Sequence, residues 1–96
     1  MYSVAYKPKA LEEYEQSIEW YAERSIKAAE NFILDVQESI KEIKANPTQF
    51  KNRYKKYYET TLKKYPFDIV YIIEAERIVI ISIYHQKRNP KKRYRK

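Results

Sequence analysis

Two apolar runs, 67–74 and 77–84, constrain this chain more than anything else in it. In the first, Phe67, Ile69, Tyr71 and Ile73 alternate with Asp68, Val70, Ile72 and Glu74, giving one uniformly apolar face and one mixed face. In the second, Val79, Ile81 and Ile83 are uniformly apolar, while the alternate face includes Ser82 and Tyr84. Such a pair predicts a hydrophobic β-hairpin. Matching apolar face to apolar face requires an odd-numbered turn, which sets Ile69 opposite Ile81, Phe67 opposite Ile83 and Tyr65 near His85. The chain has no glycine, which disfavours a two-residue type I′ turn and supports that register. His85 then ends the core-facing row.

A chain of 96 residues suits a single domain, because it buries only about two-thirds of its unfolded surface and cannot divide one core into two. Upstream, Tyr2, Val4 and Tyr6 alternate as a short strand ended by Pro8. Leu11, Tyr14, Ile18 and Tyr21 recur at helical spacing over 9–24, opposite a face of glutamates that places acids early in the helix. Ser25 is positioned to cap a second helix with the stripe Ala29, Phe32, Ile33, Val36, Ile40 and Ile43, which Asn46-Pro47 ends. So short a connection predicts an antiparallel helical hairpin. Residues 48–57 lack periodicity and read as a loop, and strands follow at 58–64, 67–74 and 77–84. The expectation is an α+β fold of order β-α-α-β-β-β over 1–96, a helical hairpin packed on a mostly antiparallel four-stranded sheet, with 86–96 a basic tail.

The formal charge of +7 is local. Residues 86–96 hold seven basic side chains and no acid, while 1–85 hold 13 of each sign. Residues 51–64 form a second basic segment, with six cations against Glu59. Two positive segments flank the hairpin; on one side of the sheet they would make a concavity suited to polyanions.

Several chemistries are excluded. Without cysteine and with one histidine, no disulfide, thiolate nucleophile or Cys/His zinc cluster can be built, and no metal site is expected. Without glycine there is neither a P-loop nor a dinucleotide fingerprint, so no cofactor is expected. No stretch approaches a membrane span or a signal peptide, so no membrane partner is expected and the location implied is cytoplasmic.

The element order, the Trp20-Tyr21 pair, the segment Tyr65-Pro66-Phe67-Asp68-Ile69-Val70-Tyr71 and the segment Ile83-Tyr84-His85-Gln86-Lys87-Arg88-Asn89-Pro90 together resemble the RelE/ParE superfamily of bacterial toxins, from residue 2 to about residue 94. The resemblance implies the toxin of a type II toxin–antitoxin pair, neutralised by a cognate antitoxin. RelE-like members cut messenger RNA in the ribosome; ParE-like members are associated with poisoning DNA gyrase. In the RelE-like ribonucleases, lysines on the first strand after the helices and an arginine early in the next hold the scissile phosphate. Aligned on Leu62 and Ile69-Val70-Tyr71, this chain puts Glu59 and Thr61 at the lysine positions and Asp68 at the arginine position. Reversed charge there opposes RelE-type cleavage. The His85-Gln86-Lys87-Arg88 ending and Trp20-Tyr21 resemble the ParE-like branch more.

Three functional readings stand. In the first, a basic surface binds a nucleic-acid-associated target such as a gyrase–DNA complex, through Lys51, Arg53, Lys55, Lys56, Lys63, Lys64, Lys87, Arg88, Lys91, Lys92, Arg93 and Arg95. In the second, a metal-independent ribonuclease acting with the ribosome uses His85 as general acid/base, Arg88 or Lys87 to hold phosphate and Tyr94 as a remote helper. Here the bland alternative is that His85 ends a strand and bonds local backbone or Tyr65. In the third, an inactive homologue keeps only antitoxin binding.

Overall fold

The computed structural model describes residues 2–87, with Arg53 described by its backbone alone. Strand β1 (Ser3–Tyr6) leads into helices α1 (Pro8–Arg24) and α2 (Ile26–Ala45). Strands β2 (Lys51–Tyr54), β3 (Tyr57–Thr61), β4 (Phe67–Glu74) and β5 (Arg77–His85) follow. They form one five-stranded sheet in the order β1-β5-β4-β3-β2, with β1 parallel to β5 and every other pair antiparallel.

Local chemistry sets the boundaries of the helical hairpin. Pro8 ends β1 and occupies the first turn of α1, where its missing N–H costs nothing. Because α1 begins there, Glu12 and Glu13 fall in its second turn, and the first turn holds no acid, contrary to the favourable early acids expected. Ser25 serves both helices: its N–H closes α1 on the Tyr21 carbonyl at 2.7 Å, and its hydroxyl accepts the Ala28 N–H of α2 at 3.1 Å. One residue thus makes the reversal. Asn46 closes α2 on Glu42.

The core lies between this hairpin and one face of the sheet. Phe32, Val36, Ile40 and Ile43 of α2 meet Phe67, Ile69 and Tyr71 of β4 and Ile78, Ile80 and Ile83 of β5, all buried. The Phe32 ring lies 4.8 Å from Phe67 and 5.6 Å from Tyr65, and Tyr21 packs edge-on to Tyr65 at 5.1 Å. The Tyr71 hydroxyl, surrounded by this core, donates to the Pro47 carbonyl. Burial, with Tyr58 nearby, raises its pKa far above the ordinary tyrosine value.

Three expectations are corrected. The sheet has five strands, because 48–57 contains β2. Its partner is β3, and the turn between them, Lys55-Lys56, places Lys55 at φ 51°. The hairpin sequence is a mixture of Lys, Asn, Arg, Tyr, Glu and Thr without an apolar period, so its pairing leaves no hydropathy signal. The sheet is also mixed, through parallel β1. Finally, the β4–β5 register is not Ile69 against Ile81: Ile73 pairs with Ile78, and Glu74 with Arg77, across the two-residue turn Ala75-Glu76. Ala75 takes φ 55° in place of glycine. A bulge then skips Ile81, so Tyr71 pairs with Ile80, Val70 with Ser82, Ile69 with Ile83 and Phe67 with His85. Apolar matching is achieved by one extra residue within the strand rather than within the turn.

Two carboxylates substitute for missing backbone partners. Beyond the reach of β1, the edge of β5 is served by Glu13 of α1, whose Oε1 accepts the Ser82 hydroxyl at 2.7 Å and the Ile83 N–H at 3.0 Å. Buried Asp35 of α2 accepts the N–H groups of Lys64 and Tyr65 at 2.9 and 3.1 Å, fastening the β3–β4 connection to the helices. Asp35→Ala leaves two N–H donors orphaned and is expected to cost about 2 kcal/mol or more in urea unfolding, since hydrogen bonds to charged groups contribute about 1.5–3 kcal/mol. A loss within experimental error would show that water replaces the carboxylate at no cost.

Candidate functional site

Strand alternation sends Phe67, Ile69 and Tyr71 toward the helices and Asp68, Val70 and Ile72 to the opposite, outer face. On β3, Glu59 pairs with Val70 and Thr61 with Asp68, so both also face outward. The bulge at Ile81 brings Tyr84 opposite Asp68. Three neighbouring strands therefore converge on one polar cluster. The Tyr84 hydroxyl lies 2.6 Å from Glu59 Oε2 and 3.0 Å from Asp68 Oδ2, so its single hydrogen sits between two carboxyl groups. Thr61 Oγ1 and Gln86 Nε2 donate to Asp68 Oδ1 at 2.8 and 2.9 Å. Glu59, Asp68 and Tyr84 are all buried. Burial alone would push the Asp68 carboxyl up, but hydrogen bonding with Gln86, Glu59, Thr61 and Tyr84 outweighs it and holds the group below the ordinary aspartate value.

His85 lies on the other side of the strand. Its ring meets Phe67 edge-on at 5.2 Å, at the end of the core-facing row as expected, and its Nδ1 accepts the Lys87 N–H at 3.1 Å. Local backbone bonding, one of the two roles foreseen for it, is thus observed.

The basic residues divide between the two ends of β3. Lys55 and Lys56 stand exposed at the β2–β3 turn, with Lys51 further along β2 opposite Glu59. Lys63 and Lys64 lie at the far end, on the order of 20 Å from Lys56 at the rise of an extended chain. There Lys63 Nζ contacts Glu42 Oε2 of α2 at 2.6 Å, which raises the lysine pKa through that hydrogen bond and charge. Gln86 bonds the Pro66 carbonyl, so exposed Lys87 begins beside Lys63 and Lys64, not beside Lys55 and Lys56. Only the backbone of Arg53 is described. Arg88, Lys91, Lys92, Arg93, Tyr94 and Arg95 lie outside the described residues. Sequence reasoning singled out Glu59, Thr61 and Asp68, but not their union with Tyr84 and Gln86, because it placed no bulge in β5.

Residues 4–90 match the family model for the ParE toxin of type II toxin–antitoxin systems. The chain belongs to that family. No curated protein matches it in sequence. Among solved structures, it is similar to a chain of the chromosomal ParDE system from P. aeruginosa, with TM-score 0.75, 20% identity, and coverage of 88% of this chain and 96% of that one. It is also similar to a chain of the intact E. coli RelBE toxin–antitoxin complex, with TM-score 0.62, 17% identity, and coverage of 92% and 100%. The YoeB dimer from Staphylococcus aureus gives 0.59, 22%, and coverage of 88% and 97%. These structures share its fold.

The lowered Asp68 pKa makes a signed prediction. A carboxyl more acidic when folded contributes stability that is fully present above its unfolded pKa and is lost as pH falls through the folded one. The stability gap between the wild type and Asp68→Asn should therefore narrow below about pH 4, the ordinary aspartate range. A gap constant with pH in chemical unfolding would mean that the side chain's ionisation does not stabilise the fold.

Proposed function

We propose that this protein acts as the toxin of a type II pair by binding a nucleic-acid-associated cytoplasmic target, DNA gyrase being the one its family suggests, and that a cognate antitoxin silences it. The Glu59–Tyr84–Asp68 network carries this reading. At the positions where RelE-like ribonucleases hold phosphate with cations, it places two carboxyl groups, bonded to each other's partners and buried. A phosphodiester brought there meets negative charge where positive charge is needed to stabilise its transition state. Catalysis by His85 is further disfavoured by its Nδ1 bond to Lys87 and its packing on Phe67. Attraction between surface cations and a polyanion requires neither a base nor a phosphate clamp.

Silencing by an antitoxin fits the apolar surface left on the helical hairpin. Ile26 and Leu34 are 65% and 61% exposed, and Leu11 and Trp20 are also open to solvent. The outer edge of β2 offers a further surface, to which a strand can be added.

Variants separate binding from cleavage. His85→Ala should retain growth arrest in the absence of antitoxin, whereas replacing Lys91, Lys92, Arg93 and Arg95 together by glutamine should relieve it, with soluble folded protein verified in both cases. Loss of arrest on His85→Ala alone, with fold and antitoxin affinity intact, would move the function to a histidine-dependent nuclease.

A further inference from the structure

The outer face carries a second feature, at the end away from Asp68. A cleft of about 390 Å³ is lined by Tyr57 of β3, Ile72 of β4 and Ile81 of β5, with Lys7 and Lys9 at the start of α1 and Lys56 at the β2–β3 turn. Its size lies within the range of about 300–1,000 Å³ usual for small-molecule sites. Ile81 in its lining is the residue skipped by the bulge, an apolar side chain without a partner on β4.

The charge around this cleft is one-sided. Lys7, Lys9 and Lys56 make no ion pair among the described residues. The acid lining it, Glu74, is held by Arg77 at 3.2 Å. Helix α1 starts at this rim with no side-chain cap and no acid in its first turn, so its dipole adds to the lysines rather than opposing them. The Tyr57 ring lies parallel to that of Tyr54, with centroids 6.3 Å apart and planes 10° apart. The cleft thus joins a flat aromatic and aliphatic floor to three lysines.

We propose that this cleft binds a nucleoside polyphosphate as a small-molecule ligand, the base against Tyr57, Ile72 and Ile81 and the phosphates toward Lys7, Lys9 and Lys56. Neither chemistry alone explains the lining: a bare phosphate has no use for the apolar floor, and an uncharged ring has none for the lysines. A cleft of this volume suits one nucleotide better than a continuous strand. Of its three lysines, only Lys56 belongs to the surface assigned above to the target, and the site stands whether or not that assignment does.

Calorimetric titration of the purified full chain tests the proposal, with ATP, adenosine, inorganic tripolyphosphate and a six-nucleotide oligothymidylate as probes and backbone amide shifts locating the ligand. ATP should bind with shifts at Tyr57, Ile72 and Ile81, and adenosine and tripolyphosphate should each bind about tenfold or more weakly. Lys7→Gln combined with Lys9→Gln should weaken ATP binding by about tenfold, as loss of charge-assisted phosphate contacts does, while Lys63→Gln leaves it unchanged. Tripolyphosphate binding as tightly as ATP would reduce the site to a basic surface and overturn the proposal. Tighter binding of the oligonucleotide at the same residues would replace the small ligand by a strand, and unchanged ATP affinity in the double variant would place the ligand elsewhere; either result overturns it.

Discussion

The bulge at Ile81 is the constraint on which the rest of the molecule depends. A two-residue turn without glycine starts β5 with Ile78 and Ile80 toward the helices. Strict alternation from that start would turn Tyr84 into the core and Ile83 and His85 out of it. One unpaired residue reverses the parity, so Ile83 completes the core, His85 meets Phe67 edge-on, and Tyr84 reaches Glu59 and Asp68 on the far face. Added twist near a bulge suits a strand whose edge is shared between β1 and Glu13.

The outer face is divided as a result. One end is polar and closed, with the hydrogen-bonding groups of Glu59, Asp68, Thr61, Tyr84 and Gln86 directed at one another. The other end is apolar and open, floored by Ile72 and Ile81 and edged by lysines. Charge that a phosphate-cleaving site would concentrate on the first region is displaced to the second and to the turns at the ends of β3. Cations at the periphery, with the carboxyl groups of Glu59 and Asp68 buried on the central strands, fit the proposed capture of a polyanionic partner better than chemistry on one phosphodiester.

Much of this was legible in the sequence. Helical period, Ser25 and Asn46-Pro47 identify both helices, and the apolar runs identify β4 and β5. The resemblance to the toxin superfamily points to the family that the comparisons establish. What escaped has physical reasons. The β2–β3 hairpin pairs Lys51 with Glu59, Asn52 with Tyr58 and Tyr54 with Tyr57, an order without alternation in hydropathy. Ala75 and Lys55 take positive φ, a choice that residue type argues against and tertiary context enforces. The bulge is invisible because Val79, Ile80, Ile81 and Ile83 are interchangeable in hydropathy, so the pattern alone does not say which of them is skipped. The polar network followed from that bulge and was hidden with it.

Transcript integrity during growth arrest bears most directly on a toxin that binds rather than cleaves. Induction without antitoxin, with messenger RNA and the DNA-damage response followed in the same cultures, should show intact transcripts and a strong damage response. Rapid transcript cleavage with DNA repair quiet would contradict the account, and would require the Glu59–Tyr84–Asp68 face to hold a phosphate that its charge opposes.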